Sequence, residues 1–373
     1  MTDPRIAVVH ERFTEYGGSE AVVGELVRQW PDAAVFAPIA DPDCLRPPLP
    51  ATVRDTWLSR AHAMTGRRSH APLLPLAPRA IRRMPLRDYD AVLVSHHAFA
   101  TQAVFATAAP VLAYVHSPAR WAWDPAFRAR EARGAGGRLA LRALSRLARR
   151  SELRAAPELA AVVANSRAVA DRVREWWGLP AAVVCPPVRI DAYTPDPTVA
   201  REDFFLVAGR LVPYKRPDLA IRAAQRAGRR LIVVGDGRFR AHLDAIAGPE
   251  TTFAGAVSDA ELRSLYQRCR ALLMPGIEDF GIVPVEAMAC GTPVLAVGAG
   301  GALDTVLPGC TGELVPPGDD TAVVDELSCQ LDSFDQSRYL PATIRAHAEQ
   351  FAPDRFRATM AHLVTELLAA PQA

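Results

Sequence analysis

Two glutamates, Glu278 and Glu286, stand with seven residues between them in the run GIEDFGIVPVEAMACGTPV, residues 276–294. Paired carboxylates can act as a catalytic acid and base, as metal ligands, or as separate acceptors for ligand hydroxyls. The stretch IVPVEAMAC reads as a helix beginning near Gly281, with Glu278 in the loop ahead of it and Glu286 about one and a half turns inside. The backbone N–H groups of Phe280, Gly281, Ile282 and Val283 are then the unpaired donors of a helix start, an anion site by geometry. So placed, the carboxylates flank a phosphate cradle instead of facing one another across a substrate, and acid/base pairing is disfavoured.

Other residues share this chemistry. VAGRLVPYKRPDLAI ends a strand with Arg210 and Lys215, where a guanidinium fork and an ammonium point charge can grip a diphosphate; the alternative is a solvated charged loop. In HERFTEYGGSEAVVGELV, Gly17 and Gly18 lie between strand and helix, where backbone N–H groups can approach a phosphate or sugar, or simply form a tight turn. VLAYVHSPARWAWD sets His116 directly after an apolar strand, at the edge of a parallel sheet that faces ligands. The Asp-x-Asp spacings at Asp41–Asp43 and Asp88–Asp90 sit in a proline-containing loop and ahead of a strand, so no metal site is expected. Ser258, with Glu261 three residues on, reads as a structural helix cap.

These residues need a scaffold to converge. The 373 residues suit two domains, half of them are hydrophobic and 23% are charged, so each domain can bury a core. Twelve short apolar runs (RIAVVH, AAVFAP, DAVLVSH, VLAYVHS, AVVANS, AVVCPP, DFFLVAGR, RLIVVGDG, TTFAG, ALLMPG, PVLAV and GELVPP) alternate with helical patterns. That alternation predicts α/β, doubly wound parallel sheets. The series breaks at the proline-rich 186–203, read as a linker between a domain over 1–185 and a second over 204–352. A last helical pattern, 353–373, is free to pack on either domain, with the N-terminal one the expectation.

A formal net charge of +2 argues against nucleic acid as a partner. Six scattered cysteines without a C-x-x-C pair point to reduced thiols and a cytoplasmic location. The N-terminal MTDPRIAVVHERF reads as a first strand and not a signal peptide, and no window reaches the roughly 20 apolar residues of a spanning helix.

With these residues in view, the chain resembles the retaining glycosyltransferases of family 4 over nearly its whole length. The resemblance rests on YGGSE, YVHSPARWAWD, ANSRAVADRV, GRLVPYKRPDLAI, VVGDG, GAVSDAELRSLY and above all EDFGIVPVEAMACGTPVLA, similar to that family's E-x7-E motif. It implies the GT-B fold, two facing Rossmann-like domains with a cleft between them, the first binding the acceptor and the second a nucleotide sugar. Gly17 and Gly18 would approach the donor diphosphate and the acceptor, and His116 would hydrogen-bond the transferred sugar. Arg210 and Lys215 would neutralise the leaving diphosphate, and Glu278 would hold sugar hydroxyls. Phe280, Gly281, Ile282 and Val283 would surround sugar and phosphate, Glu286 would take the ribose hydroxyls, and Val257 would lie near the base.

HSPARWAWD is similar to a segment of bacterial GDP-mannose-dependent mannosyltransferases that build polysaccharides and lipid-linked sugars, with Ser117 and Trp121 as mild departures. The resemblance thus implies mannose transfer to a glycan or lipid-linked acceptor, with UDP-sugars as the alternative donor and a nucleotide-sugar epimerase or hydrolase as a remoter one. No cofactor or metal is expected, because Arg210 and Lys215 would do a metal's work. Residues 128–154 carry nine arginines against two glutamates, with Leu139, Leu144, Leu147 and Leu153 interleaved. Such a helix can lie on anionic lipid at the inner face of the plasma membrane, or be a solvated face.

Overall fold

The structure, a computed structural model, describes residues 4–67, 69–131 and 134–370, without the side chain of Arg130. Arg133 and residues 371–373 therefore lie outside the described residues. The chain divides into two units, Met1–Pro187 with Pro353–Ala373, and Val188–Ala352.

Each of the twelve apolar runs holds one strand. In the first unit these are β1 (Ile6–His10), β2 (Ala34–Phe36), β3 (Ala91–His96), β4 (Val111–Val115), β5 (Ala161–Ala164) and β6 (Ala182–Val183). They form one parallel sheet in the order β2-β1-β3-β4-β5-β6. Side chains alternate between two apolar layers: Ala7, Val9, Val92, Val94, Val111 and Ala113 face one core, and Ile6, Val8, Leu93, Leu112 and Tyr114 the other. Burial on both faces explains why the runs are continuously apolar.

The helix Gly18–Gln29 buries Val22, Val23 and Leu26 in the second layer. Helix Arg167–Trp177 is capped by Ser166, whose Oγ accepts from the Val169 N–H at 3.2 Å, and ends at Gly178 with φ 71°. The helix Pro353–Ala369 packs in this same unit, with Phe356, Met360 and Val364 inside the second layer. Phe356 meets the Tyr114 ring edge-on at 5.6 Å, and Arg357 pairs with buried Glu25.

In the second unit β7 (Phe205–Ala208), β8 (Leu231–Val234), β9 (Thr251–Gly255), β10 (Leu272–Met274), β11 (Val294–Val297) and β12 (Gly312–Val315) form a parallel sheet ordered β12-β11-β10-β7-β8-β9. Helices Pro217–Ala227, Asp259–Arg268, Ile282–Ala289 and Asp320–Ser333 intervene. Residues 188–203 are packed into this unit and do not form a free linker: Val188, Ile190 and Tyr193 are buried, and the Arg345 guanidinium donates to the Ile190 and Tyr193 carbonyls at 2.8 and 2.7 Å. Strand order reverses between β1 and β3 in one sheet and between β7 and β10 in the other, the two places where such sheets open a crevice.

Candidate active site

The chain leaves β7 through Gly209, at φ 124°, and reaches Lys215 by a tight turn, Pro213–Lys215. It leaves β10 through Pro275 and Gly276. The two strand ends, with the first turn of the following helix, enclose a pocket of about 370 Å³ including its open mouth, lined by Gly209, Arg210, Lys215, Met274, Glu278 and Val283 among others. Inside it the Lys215 Nζ donates to Glu278 Oε1 at 2.6 Å, with the two side chains only 15% and 20% exposed. Exposed Arg210 stands beside the Tyr214 hydroxyl at 3.4 Å. The neighbouring Arg216 is engaged differently: its guanidinium forks onto Asp218 and Asp320, which fixes the left-handed residue (φ 54°) that opens helix Pro217–Ala227.

Glycines outside the E-x7-E run hold Glu278 in place. A Cβ on Gly300 (φ 64°) would lie 2.3 Å from the Glu278 carbonyl oxygen, and one on Gly301 2.2 Å from Phe280 Cα. A Cβ on Gly276 would lie 2.5 Å from the Lys215 carbonyl oxygen. The Gly301 N–H donates to the Glu278 carbonyl at 2.9 Å. Loops after β10 and β11 therefore touch backbone to backbone, which only glycine permits.

Helix Ile282–Ala289 begins at Gly281 (φ 94°), and no side chain caps it. Pro284 has no N–H to offer, so the donors of this start lie at the residues just before it. Phe280 is 3% exposed and packs edge-on to Phe351 at 5.6 Å. Glu286 is half-buried and accepts from the Tyr266 hydroxyl at 3.3 Å. Burial pushes its carboxyl up to about 7, against the opposing pull of Arg189 and that hydroxyl. Val257 is half-buried in the turn between β9 and helix Asp259–Arg268, which Ser258 caps by accepting from the Glu261 N–H at 3.2 Å.

His116, Gly17 and Gly18 belong to the first unit. Gly17 and Gly18 are exposed at the start of helix Gly18–Gln29, and the Glu20 carboxylate accepts from the Gly17 N–H and the Ser19 hydroxyl, each at 2.9 Å. One donor of that helix start is thereby taken by the chain's own acid. Glu20 Oε1 also meets His10 Nε2 at 3.1 Å. Burial works against ionisation of Glu20, yet its hydrogen bond and charge interaction with His10 bring it down to about 2. His10 Nδ1 meets Ser95 Oγ at 3.0 Å, and Ser95 Oγ meets His116 Nε2 at 2.8 Å. His116 is 8% exposed and stacked on the His97 ring at 4.5 Å and 12°, and burial, with His10 nearby, drives it down to about 3.

Sequence reasoning missed His10, Glu20, Ser95 and the glycines at 276, 300 and 301 as site residues. The glycine run GAGG after β11 and the histidine ending β1 carried the signal. It also missed two buried acids. Glu11 accepts from the backbone N–H groups of Ala98, Phe99 and Ala100 at 3.0–3.1 Å. Glu152, the lone acid of helix Gly134–Ala155, binds His96 Nε2, the Ala119 N–H and the Trp123 indole. Part of the WAWD segment is thus structural.

Among the described residues no group of three or more His, Cys, Asp or Glu is arranged to hold a metal ion. Asp41 caps the turn Pro42–Cys44 and, with Asp43, binds Arg67; Asp90 accepts from the Arg5 N–H. On helix Gly134–Ala155, Arg138, Arg142, Arg146, Arg150 and Arg154 are exposed at four-residue spacing, beside exposed Leu139 and Leu153, whereas Leu144 and Leu147 pack on the core. No described helix is long and apolar enough to cross a membrane.

Residues 16–192 match the family Glycosyltransferase Family 4, and residues 195–339 match Glycosyl transferases group 1. A D-inositol 3-phosphate glycosyltransferase of Gordonia bronchialis is 34% identical over 229 residues, covering 52% of this chain and 49% of that protein. The enzyme of that name from Mycolicibacterium smegmatis is 34% identical over 208 residues, covering 50% of this chain and 46% of that protein. The matched stretch thus spans about half the length of these relatives. Among solved structures, Anabaena Alr3699/HepE in complex with UDP shares 20% identity over 97% of this chain and 100% of its own, with a TM-score of 0.69. Sucrose-phosphate synthase from Thermosynechococcus elongatus shares 19% identity over 98% and 100%, with a TM-score of 0.74. The chain has the fold of the GT-B glycosyltransferases, built from two Rossmann-like units.

Proposed function

We propose that this protein is a metal-independent, retaining glycosyltransferase that moves a hexose from a nucleoside-diphosphate sugar to a glycan or lipid-linked acceptor, with GDP-mannose as donor. The observation that carries the reading is the β7–β10 pocket, where Lys215, Arg210, Glu278 and the Gly281 helix start converge at the reversal of strand order. As the bond from the sugar to the diphosphate breaks, negative charge grows on the leaving group. An ammonium, a guanidinium and a helix dipole held in advance at that point lower the barrier without moving. Glu278, oriented by Lys215, accepts from hydroxyls of the sugar, and Glu286, one turn into the helix, from the ribose. The departing diphosphate takes the acceptor's proton on the same face, consistent with retention. His116 serves the transferred sugar, and Gly17 and Gly18 the acceptor side.

The mannose assignment is supported by the HSPARWAWD segment. A UDP-sugar is the second reading, favoured by the UDP and UDP-glucose complexes of the similar Anabaena protein. The similar D-inositol 3-phosphate glycosyltransferases add a small phosphorylated acceptor as a variant of either reading. The arginine face of helix Gly134–Ala155 supports a cytoplasmic protein held at the inner face of the plasma membrane.

Calorimetric titration with GDP, UDP, ADP and dTDP in chelator, then with their sugars, tests the proposal. GDP and GDP-mannose should bind most tightly without metal. Binding confined to UDP would transfer the assignment to the second reading, and no nucleotide binding at all would end both.

A further inference from the structure

Around the strand reversal of the first unit a line of side chains runs across three strands. His10 ends β1, Ser95 is its register partner on β3, and His116 follows β4. Glu20 reaches in from helix Gly18–Gln29. The contacts are Glu20 Oε1 to His10 Nε2 at 3.1 Å, His10 Nδ1 to Ser95 Oγ at 3.0 Å, and Ser95 Oγ to His116 Nε2 at 2.8 Å. His10 is 1% exposed, Ser95 0% and Glu20 5%, so solvent does not compete for these bonds.

The protons along this line are constrained. An ionised carboxylate only accepts, so His10 Nε2 must carry a proton toward Glu20. When His10 holds that single proton, its Nδ1 is a lone pair, and the Ser95 hydroxyl must donate to it. The Ser95 oxygen is then an acceptor toward His116, which places the proton of His116 on Nε2 and leaves Nδ1 as a lone pair. A second proton on His10 leaves its bond to Glu20 unchanged but reverses the two bonds beyond it, from His10 to Ser95 and from Ser95 to His116, and moves the His116 proton to Nδ1. Burial keeps the His116 ring neutral, and the ring is held stacked on His97, so tautomer, and not charge, is the variable.

We infer that Glu20, His10 and Ser95 form a positioning relay that, with a single proton on His10, keeps the proton of His116 on Nε2, so that His116 Nδ1 meets its ligand as a hydrogen-bond acceptor. The ligand group this selects is a donor, such as a sugar hydroxyl; a carbonyl or phosphate oxygen is refused, since both sides would then be acceptors. The consequence for the sugar rests on the functional reading above, whereas the relay itself does not.

Nitrogen-15 NMR of the histidine rings in the full-length protein at pH 8 reads the tautomer directly. The wild type should give a protonated-type Nε2 and a bare-type Nδ1 for His116, assigned by loss of the signals in His116→Gln. Ser95→Ala should move His116 towards a mixture of tautomers, and Ser95→Thr, which keeps the hydroxyl, should restore the wild-type pattern. Glu20→Gln, which can donate as well as accept, should also disturb it. Turnover in Ser95→Ala should fall about five- to tenfold in kcat, the scale of one misdirected hydrogen bond, with the donor KM little changed. A wild-type His116 carrying its proton on Nδ1, or a tautomer indifferent to Ser95→Ala and Glu20→Gln in folded variants, overturns the relay. A tautomer that responds as stated in a protein that turns over no nucleotide sugar leaves the relay standing and removes the functional reading instead.

Discussion

At the scale of single residues the two acids of E-x7-E occupy different chemical states. Glu278 is held by the Lys215 ammonium at 2.6 Å, whereas Glu286 accepts from a tyrosine hydroxyl at 3.3 Å and feels the charges of Arg189, Asp259 and Lys215. Lys215→Ala removes a charge that is already in place for the leaving group. A fall of about 10²-fold in kcat is expected, as for the loss of one preorganised stabilising donor, measured by release of nucleoside diphosphate. Glu286 makes the pH dependence. Its folded value lies at about 7, above the ordinary 4.5, so its contribution to stability is full below 4.5 and is lost as pH rises through 7. The ionised carboxylate accepts from ribose with both oxygens and more strongly than the acid, so nucleotide affinity should rise over that window while stability falls. Calorimetry and thermal melts of wild type against Glu286→Gln, at pH values from 5 to 8, should show both trends in the difference between the two proteins. A difference flat in pH would contradict the assigned environment.

Elements act through backbone contact between loops. The turn after β11 presses Gly300 against the Glu278 carbonyl, leaving 2.3 Å where a methyl group would have to go. Gly309 has a similar φ of 72° but nothing within 4 Å of a built Cβ, which makes it a control for the backbone cost alone. Gly300→Ala should therefore displace Glu278 and lower turnover about tenfold or more, beyond the roughly 1–2 kcal/mol of stability that a left-handed alanine costs in both variants. Equal activities for Gly300→Ala and Gly309→Ala would show that the contact does not position Glu278. The same economy of contact explains the helix at Gly281: a positive φ turns the chain sharply, and Pro284 sits in the first turn, where a missing N–H costs nothing.

Across the whole molecule the chain's net charge of +2 hides a strong local imbalance. Helix Gly134–Ala155 turns five arginines outward, while its one acid, Glu152, is buried and bonded to His96, Ala119 and Trp123. No acid of that helix is left on the exposed face to offset the arginines. The protein should sediment with vesicles containing anionic lipid at low salt, and not with neutral vesicles. At roughly 1 kcal/mol per basic residue near the surface, the triple variant R142E/R146E/R150E should lose about 100-fold or more in partitioning. Equal sedimentation of variant and wild type would assign the face to solvent. The chain path is another property of the whole: residues 353–369 follow the second unit in sequence yet fill the core of the first through Phe356, Met360 and Val364.

Local rules determined a good deal from sequence. Twelve apolar runs bounded by breakers became twelve strands, Ser258 marked a helix start, and the helix start at Gly281 was readable from its glycine and the apolar run behind it. Each depends on neighbours within a few residues, where steric and hydrogen-bond preferences are written directly into the chain. Tertiary structure alone decided the partners. Lys215 finds Glu278 because β7 lies beside β10, and Gly300 meets Glu278 because β11 lies on the other side of β10. Glu20, His10, Ser95 and His116 align because β1, β3 and β4 are neighbours in register. The same is true of Glu152, which reads in sequence as one acid in an arginine run and acts in the fold as an anchor for Trp123. Strand order and register arise from how whole layers bury their surfaces, and no short stretch of residues carries that information.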